Sequence, residues 1–316
     1  MTIASSSTRV PRELSHENGF GRDVLAAYRE AVRRYADELW VTGVSIGVKE
    51  IAGDIAPEAG PVIAIHIRRK QELARVRKVD RIPSQILGIP TDVIEGTYTP
   101  SSGAVAAAAG FASPVFPLRP GSSFARHDGS AATLGGVLRD EAGVRFLLSA
   151  GHALREGGRF RRGDLMVHPS PADSRTPVGV ARYEDVHLGL DAGIARLEAT
   201  IQVNNRALLS SRQILSPRMP RRLDILEKSG NATHITRGQV RNIGAFGRFF
   251  PAMRIVSLPG DTGPISLGGD SGATWYDATT FVAKGLHVAI DLNSNPPSAI
   301  ATLTAEIARQ FRLTWE

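Results

Sequence analysis

The sequence predicts a mainly β protein, a barrel or paired barrels, preceded by a small α+β domain. Three observations carry that expectation. From Arg119 onward short apolar runs alternate with Gly, Pro, Asn and Asp turns, giving about ten strands over roughly 200 residues. Ahead of them one helical period is followed by a few strands, the pattern of a small mixed unit. Between the two lies Thr99 to Pro117, a stretch of Gly, Ala, Ser and Pro without a single charge, which reads as a linker.

The elements follow in chain order. Residues 1–20 are polar, lack an apolar signal core over Met1 to Pro11, and are expected to be flexible. From Arg22 to Trp40, Val24, Leu25, Tyr28, Val32, Tyr35, Ala36 and Leu39 recur at helical spacing with charges between them. Such an amphipathic helix must dock, and the strands expected at Val41–Val48 and Val62–Ile67 are its partner. With the segments Arg81 to Ile86 and Gly88 to Glu95 they make an α+β domain over 21–98, and the linker covers 99–117. In 118–316, Thr133–Arg139 and Val144–Ser149 form a hairpin around Asp140-Glu141-Ala142-Gly143. Further strands are expected at Val178–Tyr183, Ala192–Leu197, Asp224–Lys228, Gly238–Ile243, Arg254–Leu258, Ala273–Tyr276 and Phe281–Ile290. The last helix starts at Thr304 and places Ile307 and Phe311 one turn apart.

Composition narrows the function classes. The 316 residues are 42% hydrophobic and 22% charged, as in a globular protein with a sizeable core. There is no cysteine, so neither a disulfide nor a thiol nucleophile is available, which suits a reducing compartment. No run approaches the roughly 20 apolar residues of a membrane span, and a cytoplasmic protein without a membrane partner is expected. The net charge of +7 comes almost wholly from arginine, with Lys only at 49, 70, 78, 228 and 284. Basic clusters at Arg68-Arg69-Lys70, Arg159 to Arg162 and Arg218 to Arg222 are dispersed and lack interleaved aromatics. They read as solvated loops, and nucleic acid is not expected as a partner.

Chemistry concentrates in three segments. Gly269-Asp270-Ser271-Gly272 puts a serine on a tight turn, where small neighbours admit a carbonyl and backbone N–H groups can face an oxyanion. Phe146 to Ala150 is a strand that runs into Gly151-His152, a setting that holds an imidazole rigidly with room on either side. Leu190-Asp191 opens the apolar strand Ala192 to Leu197, where a carboxylate can fix the tautomer of a histidine. The order His152, Asp191, Ser271 separates this chain from subtilisins and α/β-hydrolases, whose triads are ordered differently. No metal-spaced histidine pair occurs, and neither a metal nor a cofactor is expected.

Ser149-Ala150-Gly151-His152, Asp191-Ala192-Gly193-Ile194 and Gly269-Asp270-Ser271-Gly272 together resemble the signature segments of trypsin-like serine peptidases. The likeness spans about Arg119 to Leu313. Arg119-Pro120-Gly121, Thr133-Leu134-Gly135-Gly136, Lys228-Ser229-Gly230 and Thr236-Arg237-Gly238 resemble, more narrowly, bacterial members related to the plant Narrow-leaf protease. That group also carries N-terminal segments like Gly43 to Lys49 and Gly88 to Ile94. The resemblance implies a chymotrypsin-like double β-barrel preceded by a small α+β domain. It implies a serine endopeptidase acting on protein or peptide substrates through an acyl-enzyme, with His152 as base, Asp191 as its support and Ser271 as nucleophile. The oxyanion hole would be the N–H groups of Gly269 and Ser271. By the same likeness Ile265 lies at the base of the primary pocket, which argues against Lys or Arg there. Ser266 and His287 beside it suit a Glu or Gln side chain, the alternative expectation being a purely structural His287. The chain departs from trypsins in having Ala273 and Thr274 after Gly272, and it has no Ile-Val-Gly-Gly-like start to its β-domain. Asp270 must therefore find another partner or be solvated, and the N-terminal domain, with a regulatory protein bound to it, is the expected means of control. The competing expectation is a catalytically silent protease fold that binds peptides or acts as a scaffold.

Overall fold

The computed structural model describes residues 20–51, 54–56, 60–100, 113–155, 160–291, 294 and 297–316. Two large sheets, of eight and eleven strands, make up nearly all of it. The eight-stranded sheet runs, in spatial order, through Thr314–Trp315, Gly136–Arg139, Arg145–Ala150, Ala192–Leu197, Val178–His187, Leu165–His168, Ser123–Arg126 and Ala132–Thr133. It curls around an apolar core that includes Leu118, Phe124, Leu134, Val137, Leu147, Met166 and Val180.

In the second sheet, Ile225–Gly230, Thr274–Asp277, Ala283–Asp291, Ser298–Leu303, Phe249–Ser257 and His234–Phe246 follow one another, and the first and last of these also pair. The pairing closes a barrel and removes its free edges. The mainly β, double-barrel architecture expected from the resemblance is thus the observed one.

The N-terminal segment does not stand apart. The strand His234–Phe246 is long enough to serve two neighbours: residues 234–239 pair with Ile225–Gly230, and 242–246 pair with Val41–Val48. Pro61–Ile67, Ile89–Glu95 and Gln85–Ile86 then continue the same sheet outward. The helix Arg22–Tyr35 lays Val24, Leu25, Tyr28 and Ala31 on this extension, in one continuous core with Val44, Ile46, Ile63, Ile65, Val240, Met253, Ile255 and Trp275. A helix on a few strands is present over 21–98, yet it closes no core of its own. A sequence pattern shows that a strand has an apolar face but not whose edge it will join.

The helix is shorter than its periodicity: it ends at Tyr35, and Leu39 is 89% exposed. Residues 1–19 lie outside the described residues, but Phe20 at their border is buried in the shared core, so 20 itself is not part of a loose terminus. Most of the expected linker, 101–112, also lies outside the described residues, whereas Thr99–Pro100 is a short strand paired with Ala289 and Ile290. Among the described residues no helix is long and apolar enough to cross a membrane.

Candidate active site

Each residue of the candidate site sits at the end of a strand that its barrel holds in place. Ala150 and Ala192 are paired neighbours on adjacent strands, so His152 and Asp191, just beyond them, meet at one rim of the first sheet. His152 lies in the one-turn helix Gly151–Leu154, and Asp191 adopts φ +47°, a left-handed conformation that Asp tolerates better than most residues. Gly151 donates to the Asp191 carbonyl at 2.7 Å, and a Cβ there would meet Val186 at 2.8 Å and Asp191 Oδ1 at 3.1 Å. The glycine before the histidine is what lets the two segments touch.

The side chains form one hydrogen-bonded line. Asp191 Oδ1 accepts from the His152 backbone N–H at 2.9 Å, and Asp191 Oδ2 accepts from Nδ1 at 2.6 Å. With its proton on Nδ1, His152 Nε2 accepts from the Ser271 hydroxyl at 2.8 Å. Arg248, half-exposed on the hairpin turn of the second barrel, brings Nη2 to 3.5 Å from Asp191 Oδ2.

Ser271 is presented by a turn that the second barrel anchors and the first barrel clamps. Gly269 and Gly272 adopt φ +104° and +94°. A Cβ on Gly272 would overlap Ser149 Oγ and the Thr133 carbonyl, so only glycine fits against the first barrel. Thr133 holds the turn from two sides: its N–H donates to the Ser271 carbonyl at 2.8 Å and its hydroxyl to the Gly269 carbonyl at 2.7 Å. The Asp270 carbonyl accepts from Ala273 N–H at 2.9 Å, which sets the direction of the Ser271 N–H in the same peptide unit. Among the described residues the N–H groups of Gly269 and Ser271 donate to nothing, while those of Asp270, Gly272 and Ala273 are all engaged. Sequence reading did not single out Thr133 for this role. Its signal was a hydroxyl at the start of a Gly-rich strand edge.

Asp270 has a partner after all. Lys228 Nζ, from within the barrel strand Ile225–Gly230, lies 3.0 Å from Asp270 Oδ2, and both side chains are fully buried. Thr233 Oγ1 at 2.6 Å, Ala232 N–H at 2.9 Å, Thr233 N–H and Leu267 N–H at 3.1 Å, and Ser266 Oγ at 3.1 Å complete the cage. Burial opposes ionisation of this carboxyl, but the ammonium and the surrounding donors win and hold it well below the usual carboxylate range.

Ile265, Ser266 and His287 are all buried. The Ile265 side chain belongs to the barrel core, and of the three only Ser266 and His287 carry polar side-chain atoms. They hydrogen-bond each other: with the Ser266 hydroxyl proton directed at Asp270, the His287 Nε2–H donates to Ser266 Oγ at 2.7 Å. Burial first, and then the Lys228 charge, push the His287 imidazole down to about 3, so it is neutral at physiological pH.

The two barrels, with the line Asp191–His152–Ser271 at their junction, decide the comparison. The fold is that of the chymotrypsin-like serine proteases. A structure described as a glutamic acid specific serine protease that uses a histidine triad in substrate binding aligns over 63% of this chain and 100% of its own, at TM-score 0.50 and 20% identity. Thermobifida fusca protease A aligns over 63% and 98%, at TM-score 0.47 and 14% identity. A Cellulomonas bogoriensis chymotrypsin aligns over 63% and 99%, with the same TM-score of 0.47 and 14% identity. No family model matches the sequence, and no curated protein matches it either. What is shared with these chymotrypsin-like proteases is architecture. The 63% of the chain that aligns leaves over a third of it without a counterpart in them.

Proposed function

We propose that the protein is a serine endopeptidase. The observation that carries the reading is the unbroken line from Asp191 Oδ2 through His152 to Ser271 Oγ, with contacts of 2.6 and 2.8 Å. His152 Nε2 takes the hydroxyl proton as Ser271 Oγ attacks a peptide carbonyl. Asp191 keeps the imidazole in the tautomer that can accept and stabilises the imidazolium that forms. The N–H groups of Gly269 and Ser271 donate to the developing oxyanion, and fixing them beforehand spares the reaction the cost of orienting solvent. The imidazolium returns its proton to the leaving amine, and water resolves the acyl-enzyme by the same route in reverse.

Lys228 bears on how such an enzyme becomes active. A carboxylate beside the nucleophile needs a buried cation to set the oxyanion turn, and here the chain supplies one from its own strand. The turn therefore needs no cleavage-generated N-terminus. The segments Gly43 to Lys49 and Gly88 to Ile94, which lie on either side of Pro61–Ile67 in the extension of the second sheet, fit the group that resembles the Narrow-leaf protease.

For the primary pocket, Ser266 and neutral His287 suit a Glu or Gln side chain, with Ile265 offering no charge for Lys or Arg. Cleavage of a quenched peptide library by the wild type and by Ser271→Ala tests both parts. The expected result is cleavage after Gln or Glu that vanishes in the variant. Cleavage after aliphatic residues would remove the role of His287, and activity that survives Ser271→Ala would remove the mechanism.

A further inference from the structure

The strand Ala283–Asp291 has one edge fully taken by Ser298–Leu303, which pairs with it from Gly285 to Asp291. The opposite edge is shared by two partners in succession. Leu286 pairs with Thr274, and His287 exchanges hydrogen bonds with the two residues after the serine, Gly272 N–H to His287 O and His287 N–H to Ala273 O, both at 2.8 Å. There the chain through Ser271 turns away. The next residues on that edge, Ala289 and Ile290, pair antiparallel with Pro100 and Thr99. An extended peptide lying on Ala289 and Ile290 therefore points at Ser271, about 7 Å farther along the strand.

The three residues that lie there alternate as a strand in a groove does. Tyr98 is buried, Thr99 exposed and Pro100 half-buried. The Tyr98 ring joins the apolar cluster of Ala150, Phe246, Phe249, Val288 and Ala289, against which Ala153 packs. That cluster therefore includes neighbours of both His152 and His287. The Tyr98 hydroxyl meets His66 Nδ1 at 2.6 Å, and Ser45 Oγ meets His66 Nε2 at 2.7 Å, so this ring is tied to the N-terminal strands.

Under the proposed function, this edge and the adjoining apolar cluster are where an extended substrate pairs, and we propose that Tyr98-Thr99-Pro100 fills that place in cis as a built-in competitor of substrate. Backbone pairing supplies the affinity and the alternate side-chain pockets supply the selection. The groove thus takes extended peptides with an aromatic residue two positions before a proline or similar small ring. A tethered segment competes at an effective concentration on the order of millimolar, so free peptides at micromolar levels reach the groove only when the N-terminal strands let it go. The inference rests on the reading of Ser271 as the nucleophile.

The test compares the full-length wild type with Thr99→Gly/Pro100→Gly, and with Pro100→Gly alone in case the double variant folds poorly. A fluorophosphonate reads the serine without needing the groove, and a quenched extended peptide reads both. The expected result is a KM about tenfold lower in the variants, roughly 1.4 kcal/mol of relieved competition, with the labelling rate unchanged. Acetyl-Tyr-Thr-Pro-amide should inhibit the variants competitively, and acetyl-Ala-Thr-Pro-amide more weakly. An unchanged KM with no inhibition by the tripeptide would overturn the proposal. If neither protein is labelled, the serine reading fails instead. The groove is then judged by direct binding of a fluorescein-tagged Tyr-Thr-Pro peptide, expected for the variants and not for the wild type; equal binding to both would overturn it.

Discussion

Asp191 and Asp270 are both buried carboxylates next to the serine, one reaching it through an imidazole and the other preceding it in the chain. Asp270 is enclosed by a fixed cation and five further donors, with no exposed surface and no partner that changes protonation. Asp191 faces a histidine, keeps 5% of its side chain exposed, and has a half-exposed arginine at 3.5 Å. The difference separates two tasks. Under the proposed function, a carboxylate locked to lysine fixes the shape of a turn, whereas one locked to histidine leaves a proton free to move along the line to Ser271. Four predictions test that division, from the largest effect to the smallest.

Asp191→Asn should leave the fold intact and lower kcat by on the order of 10⁴, because an amide can hold the ring in the wrong tautomer. Steady-state rates alongside circular dichroism check both halves. If activity survives, the division fails at its catalytic side.

Lys228→Met should do the opposite and act on stability. It leaves Asp270 ionised, buried and unpaired, a loss of about 3–5 kcal/mol in urea unfolding. Lys228→Met/Asp270→Asn should regain most of it, since removing both charges removes the penalty. Acid sharpens the same point. The Asp270 carboxyl lies below its unfolded value of about 3.9, so the folded state holds fewer protons than the unfolded one as pH falls. Its contribution is complete above about pH 5 and drains away in more acid solution. The double variant should lack that limb in a urea midpoint measured against pH.

Thr133→Val removes the hydroxyl that holds the Gly269 carbonyl and receives the Asn231 N–H at 3.0 Å. We expect kcat to fall about tenfold with KM nearly unchanged, because a loosened oxyanion turn costs transition-state binding first. Thr133→Ser should restore it, and a change confined to KM would move Thr133 out of this role.

Arg248→Ala should have the smallest effect, about two- to fivefold in kcat/KM, as suits a half-exposed ion pair at 3.5 Å. High salt should shrink the difference between variant and wild type. A loss as large as that of Asp191→Asn would make Arg248 part of the catalytic line.

Much of this was legible in the sequence where a segment keeps an unbroken apolar period. Val41–Val48, Ala192–Leu197 and the helix Thr304–Phe311 have the bounds or start that their apolar periods indicate. The three site segments were legible because each pairs a reactive residue with the glycines that a close approach requires. Ser123–Arg126, Leu165–His168 and Ser298–Leu303 were not, since their Ser, Arg and His positions are buried in polar networks that break the apolar alternation. Ser123, for instance, donates to Asp173 at 2.5 Å, and His168 meets the Ser123 carbonyl at 2.6 Å. Lys228 left a trace, one of only five lysines in an arginine-rich chain, just after the apolar Ile225-Leu226. Neither the shared sheet of the N-terminal strands nor the pairing of Thr99–Pro100 left one, because edge partners come from far along the chain.

The most direct measurement is fluorophosphonate labelling of the folded full-length protein, read by intact mass and peptide mapping. A single adduct on Ser271, absent in Ser271→Ala and strongly slowed in His152→Ala, is the predicted result. A folded wild type that stays unmodified, or a Ser271→Ala variant that is labelled as fast, would contradict it.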